Sequence, residues 1–240
     1  MRRYLIAALI FTAACAPMQS ASVRGGNAGV LALARGNNDD AVRDLSGALD
    51  TGDLSTHAQA AAHNDRGIAY YNKGEYDKAI ADYDTAIRLD AQMGPAYNNR
   101  GHAYGAKGEY DKATSDFDTA IHLIPRSAPV HFSRGRVMFV KGNYDDAALD
   151  FQLTLNIDPK NDFAVLLLHL SQAKSGHDDA AEFRSNAAKI DLATWPGSIV
   201  ALYLGQATSA QVMADAAKED ARARQTIKSA RLTSILANTR

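Results

Sequence analysis

One cysteine, Cys15, is all that this 240-residue chain holds, so no disulfide can close within it and no paired-cysteine metal centre can form. Charge of a single sign is missing too. The 26 lysines and arginines and 27 aspartates and glutamates are interleaved, and a formal net charge of −1 leaves no long-range field that would single out nucleic acid as a partner. The apolar run Tyr4–Ala14 falls short of the ~20 residues that a helix needs to span a bilayer. Catalytic signatures are absent: there is no His-Glu-x-x-His pair, no glycine-flanked serine elbow and no phosphate loop. The seven histidines are scattered, and His63, His131 and His169 read as packed or exposed helix residues rather than metal ligands. No catalytic residue, metal or cofactor can be assigned, and the expectation is a protein that is not an enzyme.

What the chain does have is a rhythm. One 34-residue pattern is written three times, as Ala60–Met93, Gly94–Ser127 and Ala128–Asn161. Eight residues are identical in all copies: Arg66, Arg100 and Arg134; Gly67, Gly101 and Gly135; Lys73, Lys107 and Lys141; Gly74, Gly108 and Gly142; Tyr76, Tyr110 and Tyr144; Asp77, Asp111 and Asp145; Ala79, Ala113 and Ala147; Asp82, Asp116 and Asp150. A fixed period of this length marks a solenoid, whose units bury their apolar faces against neighbours. Each copy reads as two helices. Tyr76, Ala79, Ile80, Tyr83, Ala86 and Ile87 recur at three- and four-residue spacing, which places them on one face. Gly74, Gly108 and Gly142 stand where a helix must stop and reverse, since glycine accepts a left-handed backbone. Gly67, Gly101 and Gly135 lie inside helices, where glycine is unfavourable, and so imply close contacts; Ala79, Ala113 and Ala147 do the same on the second helix. Pro95 and Pro129 fall at helix starts, whereas Pro125 and Pro159 end units. Asp82, Asp84, Asp116, Asp118 and Asp150 recur with the repeat and are expected to be solvated, partnered with Lys78, Lys112 or Arg88.

These residues resemble the tetratricopeptide repeat, which pairs a small residue and an aromatic on its first helix with alanine, an aromatic, alanine and a late proline on its second. Gly101, Tyr104, Ala113, Phe117, Ala120 and Pro125 of the middle copy all fall at the expected spacing. The first copy has Ala91 in place of the proline, and the third departs at Met138 and Thr154. The resemblance implies an all-α, right-handed superhelical solenoid of helix-turn-helix repeats. Gly29, Leu33, Gly36, Ala41, Leu45 and Ala48 repeat the spacing weakly, so residues 22–59 are expected to form a degenerate first unit, with Ala32 where an aromatic would stand and four extra residues in a longer loop at Thr51–His57. Residues 60–161 form the three clear units. Residues 162–195 are a degenerate unit, in which Gly176 separates two helices, Ala181 and Ala188 keep the small positions and His169 replaces glycine. Residues 196–240 supply C-terminal helices and a polar cap rich in Lys218, Arg222, Arg224, Lys228, Arg231 and Arg240, with contact to anionic lipid as the other reading.

Arg2 and Arg3 before Tyr4–Ala14 fit a secretory signal, so the protein is expected to be exported, with residues 1–21 as signal and tether. Cys15 after Ala13 and Ala14 resembles the lipobox of bacterial lipoproteins, although Thr12 stands where that family prefers a larger apolar residue. Cys15 is the expected lipidation site; the other reading is a plain signal cleaved near Ser20-Ala21-Ser22. Ala16, rather than aspartate, follows Cys15, which by that resemblance favours the outer membrane, facing the periplasm. Met18–Asn27, rich in small residues, is expected to be a flexible tether. Trp195-Pro196-Gly197 and the Leu-Gly that follows resemble bacterial tetratricopeptide lipoproteins of the NlpI type.

By the same resemblance the first helices line a groove that holds a peptide. Three in-phase rows face it: Asn64, Asn98 and Phe132; Ile68, His102 and Arg136; Tyr71, Gly105 and Phe139. Asparagine can donate to and accept from a peptide backbone, and aromatic rings supply flat apolar contact. The lysine and asparagine set by which chaperone-binding relatives grip a C-terminal carboxylate is missing. The expected function is a non-enzymatic adaptor at the bacterial envelope, with periplasmic or envelope proteins such as cell-wall hydrolases or a protease as partners, membrane contact through the lipid anchor, and self-association into a homodimer open. An assembly factor or pilotin for pilus, secretin or outer-membrane barrel subunits is the alternative, and an enzyme on a helical scaffold is disfavoured.

Overall fold

A computed structural model describes residues 21–194 and 196–221. Cys15 and the signal over Met1–Ala14, Trp195, and Arg222, Arg224, Lys228, Arg231 and Arg240 of the basic segment lie outside the described residues. The helices are α1 (Ala21–Ala34), α2 (Asn38–Asp50), α3 (Thr56–Asn72), α4 (Tyr76–Leu89), α5 (Gly94–Ala106), α6 (Tyr110–Leu123), α7 (Ala128–Lys141), α8 (Tyr144–Ile157), α9 (Asp162–Lys174), α10 (Ala180–Ala187) and α11 (Gly197–Tyr203), followed by helix over 209–221. No strand occurs among the described residues.

The hairpins form because one turn chemistry recurs. Gly36, Gly74, Gly108, Gly142 and Gly176 all adopt positive φ, between 75° and 82°. The residue after each donates its amide to the carbonyl five positions back, as Glu75 to Tyr70, Glu109 to Tyr104 and Asn143 to Met138, each at 2.9 Å. Carbonyls orphaned at the helix end are thereby satisfied, and the chain reverses. Inside each hairpin, the large side chain of the second helix lies flat on the glycine of the first. A Cβ on Gly67 would stand 2.6 Å from Tyr83 Cε1, one on Gly101 2.9 Å from Phe117 Cε1, and one on Gly135 3.0 Å from Phe151 Cε1. Ala79, Ala113 and Ala147 are fully buried, as are Tyr83, Phe117 and Phe151 to within 1%, and each such aromatic side chain contributes about 1.5–3 kcal/mol by leaving water. The degenerate first unit uses the same device with Leu45, whose Cγ lies 2.5 Å from the Cβ position of Gly29.

Hairpins stack in order, α2 on α3, α4 on α5, α6 on α7 and α8 on α9. First helices α1, α3, α5, α7 and α9 also touch their counterparts in the next unit, whereas second helices make no comparable contact with theirs. The array is an all-α repeat solenoid with the first helices on its inner side.

Four expectations need correction. Met18–Asn27 is not a tether throughout: from Ala21 it is α1, in which Gly25 packs closely against Asp44 and Ala48 of α2. The four extra residues before the second unit do not form a long loop; they mostly extend α3, which starts at Thr56 with Ser55 Oγ accepting from the Ala58 amide and runs 17 residues against 13 for α5. Ala181 and Ala188 are exposed, while Phe183 and Ala187 are buried, because the turn before α10 is lengthened at His177-Asp178-Asp179 and slips the helix out of the 34-residue frame. His169 then stacks on Phe183, ring centroids 4.0 Å apart, where earlier units have glycine under an aromatic.

Asp84 and Asp118 are exposed, but the other three repeat aspartates are not solvated. Asp82, Asp116 and Asp150 are buried, 5%, 5% and 1% exposed, and each takes a bidentate pair from the arginine of its own unit. Arg66, Arg100 and Arg134 donate through Nε at 2.8 Å and Nη2 at 2.7 Å. Lys78 and Lys112 pair instead with Glu75 and Glu109. The third arginine nitrogen reaches back one unit, to Ser46 Oγ at 2.9 Å, Asp84 at 2.6 Å and Asp118 at 2.7 Å. A second ladder runs along the turns, with Lys73 on Asp39, Lys107 on Asp77 and Lys141 on Asp111. Burial alone would raise the Asp82 pKa, but hydrogen bonds from Arg66 and His63 outweigh it and hold the carboxylate below its ordinary value.

Candidate functional site

Of the eight repeat-invariant positions, those of Gly67 and Ala79 are spent on packing, that of Gly74 on the turn, and the arginine, lysine and two aspartates on the ladders, which leaves the tyrosine of Tyr76, Tyr110 and Tyr144. What remains free to recognise a ligand is the inner face of α3, α5 and α7, where the sequence varies between units.

The rows expected there are only partly separate from the core. Asn64, Ile68, Tyr71, Asn98, His102, Phe132 and Phe139 are half-buried, and Arg136 is exposed. Phe132 leans on Phe151 at 5.7 Å between ring centroids, Phe139 on Tyr144 at 5.4 Å and Tyr71 on Tyr76 at 5.5 Å, so each shows one flank inward. Ile68 packs with Tyr70, Tyr71 and Ile80 against the buried Ala79 and Tyr83. Asn64 does not pair with Asn98; its Oδ1 accepts from Asn99 Nδ2 of the next unit at 2.9 Å. Asn98 donates to Asn99 at 3.4 Å, and its own Oδ1 is buried without a partner.

His102 Nε2 lies 3.1 Å from Ser133 Oγ, whose hydrogen goes to the Pro129 carbonyl at 2.8 Å. The Nε2 hydrogen therefore points to serine, and the ring is a donor there. Burial, and then the nearby Arg136 cation, push the His102 pKa down, so the imidazole is neutral at pH 7. Arg136 lies over the Phe132 ring, 6.0 Å from its centroid, and makes no ion pair with any described residue. Asp65, one step round α3 from Asn64, has its pKa raised by burial, a rise that the Asn64 amide only partly offsets.

Tyr71, His102 and Arg136 come together around a recess of about 240 Å³ whose walls also include Gly105, Tyr110, Phe117 and Val140. Asn64, Ile68, Asn98, Phe132 and Phe139 are not part of it. Tyr110 and Phe117 come from the second helix of the middle unit, and only the hairpin turn delivers them to the inner face. Asp65, Asn99, Ser133 and Val140 sit one residue beyond the expected rows and were signalled only by the width of a helix face, which takes in adjacent positions. No group of histidine, cysteine and carboxylate side chains suited to a metal occurs among the described residues, and none of their helices is long and apolar enough to cross a membrane.

Residues 67–108 match the family model described as TPR repeat, and residues 94–127 that described as tetratricopeptide repeat. No curated protein sequence matches the chain. Among solved structures, the crystal structure of MamA protein is similar at a TM-score of 0.60 and 22% identity, covering 69% of this chain and 89% of that one. MamA 41-end from Desulfovibrio magneticus RS-1 is similar at 0.60 and 19%, covering 70% and 93%. The second TPR domain of human RPAP3, in complex with the HSP70 peptide SGPTIEEVD, is 30% identical over 49% of this chain and 98% of that one, at a TM-score of 0.47.

Proposed function

The chain is built from tetratricopeptide repeats, and on that premise we propose that it is a non-enzymatic scaffold of the bacterial cell envelope, holding partner polypeptides along the inner face of α3, α5 and α7. One observation carries the reading. Apart from Tyr76, Tyr110 and Tyr144, the residues identical in every unit are consumed by the turns, by packing and by the ion-pair ladders, whereas two of the three inner rows change chemistry at every unit, Ile68, His102 and Arg136 and again Tyr71, Gly105 and Phe139. A solenoid that had only to stand needs no such variation, but a surface that grips a non-repeating polypeptide does.

The envelope location rests on Cys15 following Tyr4–Ala14 and Arg2-Arg3. Lipidated there, the chain would hang from the outer membrane into the periplasm, where cell-wall hydrolases or a protease are candidate partners by likeness to envelope lipoproteins of this repeat class. Mass spectrometry of the mature N-terminus is expected to find acylated Cys15; an unmodified chain beginning beyond it would reject the anchor. Crosslinked capture from envelope extract is expected to lose its partners in an Arg136→Glu, Val140→Glu variant, whose two positions are exposed. Equal recovery with both proteins would remove the inner face from the reading.

A further inference from the structure

Gly105 has no structural reason to be glycine. Its counterparts are Tyr71 and Phe139, whose rings lean on Tyr76 and Tyr144. It lies in α5, where glycine is less favourable than alanine, and its φ is not positive. Gly101, one turn earlier, is held to glycine by Phe117, but a Cβ on Gly105 would meet nothing within 4 Å. The missing side chain has one evident consequence. Tyr110, the counterpart of Tyr76 and Tyr144, has no ring beside it and stands 37% exposed, forming a wall of the recess.

The recess is open on one side, and its volume of about 240 Å³ is of the size that receives one ring, since a closed cavity of ~150 Å³ already admits benzene. Its apolar walls are Tyr71, Tyr110, Phe117 and Val140, and its polar side is the neutral His102 with Ser133. Arg136 stands at its edge, exposed, and no acidic side chain lines it. From this we infer that the recess is a specificity pocket, made by the absence of a side chain at Gly105, for one aromatic side chain of a bound peptide with a neighbouring carboxylate held by Arg136. The inference rests on the scaffold reading and narrows it to partners that present an aromatic residue beside aspartate or glutamate. An exposed guanidinium that has no ion-pair partner among the described residues favours a carboxylate through charge-assisted, bidentate hydrogen bonds, and Tyr71 and Tyr110 offer the edges and faces that an inserted ring prefers.

The test is an array of immobilised hexapeptides in alanine and serine background, with one position varied through all side chains and the next set to Asp, Asn or Lys, read with the purified full chain. Wild type is expected to select aromatic residues followed by Asp. Gly105→Phe, which fills the pocket, is expected to weaken the selected peptides by about tenfold or more, and Arg136→Gln to abolish the preference for Asp over Asn while keeping the aromatic one. Thermal unfolding of each variant checks folding, and Gly105→Ala, which barely intrudes, is expected to keep the selectivity and raise the midpoint. Selection that is unchanged in Gly105→Phe overturns the pocket while leaving peptide binding elsewhere on the inner face intact. No selection by wild type overturns both.

Discussion

Arg100 and Asp116 show why a residue can be conspicuous in a sequence and still be misread. Their recurrence in every unit is plain, but helical spacing predicts pairs three or four residues apart, and sixteen residues is not a helical spacing; it is the distance from one arm of the hairpin to the same level on the other. Once the hairpin closes, a carboxylate that would look solvated is buried under its own arginine. Arg100→Ala leaves Asp116 buried without its partner and is expected to cost about 3 kcal/mol in urea unfolding. Arg100→Met with Asp116→Leu, which removes both charges, is expected to recover most of that loss, and a double variant no better than the single one would show that the pair is not the source. Asp65 makes a prediction of opposite kind. Burial raises its pKa, so the folded chain holds that proton more tightly than the unfolded one; Asp65 favours the fold below about pH 4 and opposes it as the pH rises through its native value. Asp65→Asn, which can still accept from Asn64, is expected to raise the urea midpoint at pH 7 and to lose that advantage by pH 3.

At the scale of the helix, the five helical glycines of the first two hairpins and Gly105 look alike in composition and differ in what they face. Gly67 carries the flat of Tyr83, so Gly67→Ala forces overlap at 2.6 Å and is expected to destabilise by about 1–3 kcal/mol despite the better helix propensity of alanine. Gly105→Ala meets open space and is expected to stabilise by about 0.5–1 kcal/mol. Denaturant midpoints for the two variants should therefore move in opposite directions. The same distinction explains how much of the architecture was readable. Period and turn glycines announced α3 to α8, since both are local signals. Gly25 falls within the small-residue composition of a linker because only the partner helix shows that it is a contact point, whereas Gly29 is legible as the counterpart of Gly67. Counting from Gly67 gives in-phase positions on α3, α5 and α7, but it cannot give the recess, since Tyr110 and Phe117 reach it from another helix and Gly105 contributes by having nothing there. In α10 the frame slipped at His177-Asp178-Asp179, and a strict period placed Ala181 and Ala188 where Phe183 and Ala187 are buried.

Over the whole array, each hairpin touches only its neighbours, so stability is a chain of unit and interface terms rather than one global sum. The terms are unequal. Units α3/α4, α5/α6 and α7/α8 each carry an aromatic on glycine, a buried bidentate pair and a lysine to the preceding unit. The unit of α9 and α10 lacks the arginine pair, replaces the glycine by His169 on Phe183, and has at the lysine position only Ser175, with His177 reaching Asp145 at 3.8 Å. Opening free energies should follow that inequality. Native-state hydrogen exchange is expected to find amides of α10 and α11 exchanging first and those of α4 to α7 last. Gly135→Val, which drives a branched side chain into Phe151 and Asp150, is expected to cut protection in α7, α8 and α9 while leaving α1 and α2 nearly unchanged. Uniform loss along the chain would mean that the array unfolds as one cooperative body, and the inner face would then be as rigid at α9 as at α5.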